Sequence, residues 1–261
     1  MTPGRAGRVR VGQRAAARLL AAGVLAEIGY PLARGTGRAA LTVAAVLACC
    51  AAMLTHAALT RGPRTALAAL ACFGAGGWLV EAVGTATGVP FGAYHYTGSL
   101  GPAPLGVPLL VGLAWCMAGW PAYLAAARLA PHAPRPARLA LAAAALASWD
   151  LFLDPQMVAA GYWHWQHPTP ALPGLPGVPL TNYAGWLLTA ALLVVAFDLA
   201  GHPNGRGPDA VPLTWYFWTY GSSVVAHAVL LDLPGSALWG GAGMGLVAVP
   251  LARRAYRDRR G

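Results

Sequence analysis

Eight stretches of this chain are apolar over about the 20 residues a helix needs to cross a bilayer: residues 15–33, 39–60, 65–88, 105–127, 138–160, 181–200, 213–232 and 235–252. In lipid, backbone N–H and C=O groups must be bonded within the protein, so a spanning stretch folds as a helix unless it closes a barrel. The sequence therefore predicts an all-α, polytopic transmembrane helical bundle of about eight spans. The number falls to seven if the first, interrupted by Arg18 and Glu27, does not cross. The chain reads as one integral membrane domain, 1–261, with basic tails at 1–14 and 253–261. Only 10% of its residues are charged and 57% are hydrophobic, against roughly 25% charged in soluble domains. A cleaved signal peptide does not explain this, because the first apolar run has no small-residue cleavage site and many runs follow it.

The basic residues number 18 and all are Arg; with 8 acids the net charge is +10. They fall in short clusters between the apolar runs, which points to membrane topology and away from nucleic acid. With the N-terminus in the cytoplasm, every Arg except Arg34 and Arg38 falls on the cytoplasmic side. The asymmetry predicts that both termini are cytoplasmic and that the protein sits in the inner (plasma) membrane. Cys49, Cys50, Cys72 and Cys116 lie inside apolar runs, without disulfide or zinc spacing, and read as packing residues.

Two outer connections, residues 89–104 and 161–179, lack Asp, Glu, Lys and Arg and are rich in aromatics, Pro and Gly. They fit either an interfacial aromatic belt or segments folded back over a cavity, where protein covers their polar backbone.

Ionisable groups inside spans are costly and tend to be functional. Glu81 shares a helix face with Trp78 and Thr85, and Asp150 and Asp154, four residues apart, share another. With the outer loops and Asn182 they converge on one region, rimmed by Phe91, Tyr94, Tyr96, Trp149, Trp163, Trp165, Tyr183 and Trp186. Structural roles compete: Asp154 precedes Pro155 and could satisfy amides freed by a kink. His56 and His227 read as hydrogen-bonded packing, and Glu27 and Asp198 as solvated or interfacial groups near helix ends.

A carboxyl desolvated in a low-dielectric site can hold its proton at neutral pH, more so beside a second carboxylate. Such an acid can protonate a carbon–carbon double bond. Aromatic faces stabilise the resulting cation, and water held by another carboxylate or by Asn can capture it. This chemistry calls for no metal and no cofactor.

At these residues the chain resembles the bacterial and archaeal carotenoid biosynthesis membrane family, which includes carotenoid 1',2'-hydratases and bisanhydrobacterioruberin hydratase. The resemblance rests on Glu81 through Tyr96, Gly106-Val-Pro108, Trp149-Asp150-Leu-Phe-Leu-Asp154-Pro155-Gln-Met157, Gly161 through Trp165, and Gly177 through Trp186, in order over residues 75–190. It implies addition of water to the terminal double bond of an acyclic carotenoid end group. It implies Glu81, Asp150, Asp154 and Asn182 as catalytic residues, with the aromatic rim, Trp78 and Thr85 binding substrate. Glu81 is the first choice for the acid, desolvated by Trp78, with the Asp pair and Asn182 holding the water. Expected partners are the carotenoid, the bilayer and other carotenoid-pathway enzymes, and no nucleic acid.

Three alternatives compete. A prenyltransferase could hold Mg²⁺ and a diphosphate on Asp150 and Asp154, but such a site wants Arg or Lys nearby. A non-enzymatic isoprenoid transporter or scaffold would also bury acids, though no paired repeats are visible. A di-iron hydroxylase would need clustered His, and the 7 present are scattered.

Overall fold

A computed structural model describes residues 3–201 and 207–258. Of the arginines behind the expected orientation, Arg206, Arg259 and Arg260 lie outside the described residues, as do the side chains of Arg5, Arg8 and Arg10. Helix α1 (Pro3–Gly29) ends in a 3₁₀ turn, Tyr30–Leu32, and α2 covers Gly35–Arg61. Helices α3 (Pro63–Ala69) and α4 (Gly76–Thr87) form one column through a π-helical turn, Leu70–Ala75. Then follow β1 (Tyr94–Tyr96), α5 (Leu109–Leu129), α6 (Arg135–Ala147), α7 (Asp150–Ala159) and β2 (Trp163–Trp165). The chain continues with α8 (Leu180–Gly201), α9 (Ala210–Val225), a π turn at Ala226–Leu230, and α10 (Pro234–Arg257).

Seven columns are long and apolar enough to span a membrane among the described residues: Gly12–Leu32, Gly35–Arg61, Pro63–Thr87, Leu109–Leu129, Arg135–Ala159, Leu180–Ala200 and Pro234–Arg257. The protein is a multi-pass α-helical membrane protein. The remaining expected span, 213–232, is α9 with its π turn. Its α-helical run is only 16 residues, and Thr214, Thr219, Ser222, Ser223 and His227 make it less apolar than its neighbours.

Two expected boundaries are corrected. The span read as 105–127 begins at Leu109, because Leu105 and Gly106 turn with φ of 53° and 79° before Pro108 caps the helix. The span read as 138–160 is two helices, α6 and α7, that break at Ser148–Trp149. Pro155 has no N–H to give the carbonyl of Leu151, four residues back. Ser236 of α10 takes that carbonyl instead, at 2.7 Å. The freed backbone group is satisfied by a neighbouring helix, leaving Asp154 for other partners.

The two outer connections meet as an antiparallel ribbon, with Tyr94 opposite Trp165 and Tyr96 opposite Trp163. Strand alternation puts these four aromatics on one face and exposed His95 and His164 on the other. Gly88, in the left-handed conformation at φ 77°, ends α4 and turns the chain toward β1.

The opposite end of the bundle gathers the arginines. Asp209, at the start of α9, pairs with Arg61 of α2 and Arg128 of α5, both at 2.6 Å. Arg135 meets Asp198 at 2.5 Å, and Asp198 also accepts from Tyr123 at 2.5 Å. Gln13 of α1 donates to the Pro208 carbonyl at 3.1 Å, and Arg254 of α10 to the Leu129 carbonyl at 3.3 Å. The start of the first span and the end of the last therefore lie at the same end of the bundle.

Candidate functional site

The ribbon roofs a cavity of about 660 Å³. Its floor and walls come from α1, α2, α4, α5, α7, α8 and α9. Gly77 of α4 lets Trp115 of α5 lie flat against the helix, since a Cβ there would stand 2.6 Å from the indole Cγ. Trp115 in turn stacks on Trp186 of α8, centroids 3.9 Å apart and planes within 17°. Trp149 meets the edges of Trp186 and Trp215 at 6.1 and 6.0 Å. The wall so formed offers large aromatic faces to whatever enters.

Beside the ribbon, two separate carboxyl centres face the space. Glu81, 4% exposed, accepts from three donors. The Tyr94 and Tyr96 hydroxyls donate to Oε2, the second at 3.0 Å, and Trp115 Nε1 donates to Oε1 at 3.1 Å. Burial, reinforced by Glu81, pushes both tyrosine hydroxyls well above their ordinary range, so they remain donors. At the second centre, Asn182 Nδ2 donates to Asp150 Oδ2 at 2.8 Å and to Asp154 Oδ2, while Trp163 Nε1 donates to Asp154 Oδ1 at 3.1 Å. The two aspartates lie within hydrogen-bonding reach of each other. Asp150 is fully buried, and its Oδ1 has no donor among the described residues.

Of the residues singled out from sequence, Glu81, Asp154, Asn182, Tyr94, Tyr96, Trp149, Trp163, Trp165 and Trp186 line the cavity. Asp150 sits behind Asp154 and does not line it. Phe91 is packed between Gly84 and Gly185, and its carbonyl accepts from Trp165 Nε1 at 2.9 Å. Tyr183 does not line the space. Trp78 is displaced from its expected role: its indole donates to the Val107 carbonyl at 3.1 Å, and Trp115 takes the place beside Glu81. Thr85 bonds back to the carbonyls of Glu81 and Ala82 at 3.1 Å. A hydroxyl one turn along a helix commonly does so.

Sequence reasoning passed over part of the lining. Glu27, expected near a solvated helix end, is half-buried, accepts from Trp218 Nε1 at 2.5 Å and lines the cavity. Tyr30, Thr42, Trp115, Gln156, Trp215, Trp218 and His227 also line it. Trp115 left one trace in the sequence, Gly77 of α4, the small residue its indole packs against. His227 is held through both ring nitrogens, by Ser236 at 2.8 Å and Gln156 at 2.9 Å. His56 is packing as expected, bonded to the Pro208 carbonyl and to Trp120.

A profile of the family described as "Carotenoid biosynthesis protein" matches residues 41–206. The chain is also 38% identical over 136 residues to a protein of Haloarcula japonica named bisanhydrobacterioruberin hydratase, a stretch covering 51% of this chain and 44% of that one. The chain thus spans less than half the length of that relative. No solved structure matches. The family match takes in the ribbon, Glu81 and the paired aspartates as parts of a longer stretch, so it speaks to the family and leaves residue roles to geometry.

Proposed function

The chain belongs to the carotenoid biosynthesis protein family, and we propose that it is an integral membrane hydratase that adds water across the terminal 1',2' double bond of an acyclic carotenoid end group. One observation carries this reading: an aromatic-walled cavity presents two carboxyl centres, Glu81 and the Asp154–Asp150 pair, to the same space. Addition of water to an alkene needs an acid and a base that do not neutralise each other. The Haloarcula japonica relative's name, a hydratase, supports the same reaction class.

The hydrogen bonding divides the roles. Glu81 meets only donors, three of them, so it acts as an acceptor: a fixed negative centre and the base. The aspartates share one amide nitrogen and leave Asp150 Oδ1 without a donor. A single proton held between the two carboxyls supplies that missing hydrogen, as in other carboxyl pairs. Asp154, the member that faces the cavity, is then the acid. This reverses the division expected from sequence, where Glu81 was the first choice for the acid. Asp154 gives its proton to C2', and the tertiary cation forms at C1' against the aromatic wall of Trp115, Trp186 and Trp149. Water bonds to C1' and its proton passes to Glu81; a proton returned from Glu81 to the aspartate pair through water restores the site, and the net change is addition of H₂O. Asn182 and Asp150 position Asp154.

Prenyl transfer finds less support, since no arginine lines the cavity among the described residues and a diphosphate wants one. The deciding experiment is expression in a lycopene-producing bacterium grown in ¹⁸O-labelled water, followed by mass analysis of the pigments. Hydrated end groups carrying the label are expected. Label from O₂, or turnover that requires a prenyl diphosphate, would overturn the proposal.

A further inference from the structure

The cavity is not sealed, and its exposed lining lies on two helices only. The lining residues exposed at the surface are Ile28, at the end of α1, and Gly221, Val225 and Leu230, along α9 and its π turn. Ile28 is 48%, Val225 59% and Leu230 56% exposed. The proposed catalytic carboxyls stand on α4 and α7, with Asn182 on α8, and these helices contribute no exposed residue to the lining. The opening therefore lies between α1 and α9, and the acids lie deeper in.

Its chemistry is that of the bilayer interior. Ile, Val and Leu form the rim, with no charged group on it. Leu25, Val229 and Leu238, exposed on the surrounding surface of α1, the π turn and α10, continue the apolar band. Ile28 lies inside the span-length column Gly12–Leu32, and the other rim residues lie on α9 and its π turn before the chain turns at Asp232. A water-soluble ligand would have to cross hydrocarbon to reach such a mouth, whereas a lipid already there would not.

The mouth also has room built into it. A Cβ on Gly221 would meet no atom within 4 Å. On a helix, where glycine costs about 1 kcal/mol relative to alanine, nothing in the local packing requires its absence of side chain. Just inside, the Glu27–Trp218 hydrogen bond joins α1 to α9 and bounds the passage.

We infer that the gap between α1 and α9 at Gly221 is a lateral mouth through which a long, linear isoprenoid chain passes from the bilayer, terminus first. The inference rests on the proposed reaction and narrows its substrate class. With the rim on α1 and α9 and the carboxyls deeper in, a chain enters by its end, so a substrate must present an uncyclised end to Asp154 and Glu81.

The test widens residue 221 stepwise, as Gly221→Ala, Gly221→Leu and Gly221→Trp, with Val229→Trp as a control on the same lipid-facing surface but outside the lining. Two readouts are taken on purified protein in vesicles. One is turnover of lycopene against a short acyclic terpene with the same terminal double bond; the other is the amount of lycopene retained through purification, read by its absorbance, which needs no chemistry. Turnover and retention of lycopene should fall together with side-chain size, by about a hundredfold in turnover for Trp, the scale of loss when a reacting group cannot reach its place. The short terpene should be affected less, and Val229→Trp should behave as wild type. Equal lycopene retention across the series would overturn the mouth, as would a parallel loss for both substrates already at Gly221→Ala and Gly221→Leu. If wild-type protein retains lycopene but never hydrates it, the reaction is wrong, and the retention series still decides the mouth.

Discussion

Trp115 Nε1 lies 3.1 Å from Glu81 Oε1, so an indole of α5 fixes the carboxyl of α4. With Tyr94 and Tyr96 on the other oxygen, every hydrogen bond to this side chain arrives as a donor. An amide carries no charge and takes no proton; with its oxygen toward the indole, its NH₂ meets tyrosine hydroxyls that turn from donors to acceptors. Glu81→Gln should therefore lose nearly all turnover while changing stability by no more than about 1 kcal/mol, the scale of one exchanged hydrogen bond. The checks are turnover and thermal unfolding in detergent. Retention of more than about a tenth of the activity, against the usual loss for an acid–base group, would make Glu81 structural. Asp198→Asn, at the arginine-rich end beside Tyr123 and Arg135, should leave turnover close to wild type.

The two aspartates should separate by kinetics. Asp154→Asn removes the group facing the cavity and should lower kcat by about a hundred- to ten-thousand-fold, the range of general acid catalysis. Asp150→Asn leaves Asp154 in place but breaks the pair, so kcat should fall less and the pH dependence of kcat should shift. Full activity in both variants would remove the pair from the mechanism.

Tyr96 supplies a test by pH. Burial, with Glu81 reinforcing it, holds the Tyr94 and Tyr96 hydroxyls protonated above their usual value of 10.0. An acid whose titration moves up keeps its neutral form to higher pH, so no tyrosine ionisation should appear on the alkaline side of the rate profile below about pH 10. Tyr96→Phe should lower kcat while leaving that alkaline side unchanged. An alkaline limb near neutral pH that vanishes in Tyr96→Phe would contradict the geometry.

Ser236 should matter although it touches no substrate. Its hydroxyl takes the carbonyl that Pro155 leaves free and also meets His227. Ser236→Ala should cost about 1–3 kcal/mol, since a buried carbonyl loses its donor. It should also lower kcat more than it changes KM, because α7 carries Asp150 and Asp154. Thermal unfolding and steady-state kinetics read the two effects; unchanged values of both would mean that water replaces the hydroxyl.

Orientation is open to labelling. Ser99, beside the ribbon, and His132, at the arginine-rich end, are both exposed. With the arginine-rich end in the cytoplasm, an impermeant thiol reagent applied to intact cells should reach Ser99→Cys and not His132→Cys. The reverse pattern would invert the topology. Cys49, Cys50 and Cys116 are buried, and Cys72→Ala removes the remaining background.

Hydropathy made the helical class legible, because a spanning helix has a length and an apolarity that few other elements share. It also made Glu81, Asp150 and Asp154 conspicuous, since an acid in a span is rare. The pairing of Tyr94 with Trp165 and of Tyr96 with Trp163 was not legible, because register between loops about 70 residues apart leaves no periodic trace. The break between α6 and α7 was hidden for a related reason. Pro155 signals a freed carbonyl, but only the fold supplies Ser236 to receive it. Trp78 was chosen over Trp115 from spacing along one helix, while the contact that counts comes from the next helix in space. Glu27 was misplaced because nearness to a helix end in sequence says nothing of what packs over it.

The ribbon has a consequence for how the protein is made. Its first strand emerges after α4 and its second only after α7, with α5 and α6 between. Until Trp163 and Trp165 arrive, Tyr94 and Tyr96 have no cross-strand partners, and the roof over Glu81 is half built. A chain halted during synthesis before residue 163 would thus leave an acid facing the bilayer without its cover. The protein's later half therefore serves as a folding partner to the earlier one, and the reaction chamber comes into being only when both are in the membrane.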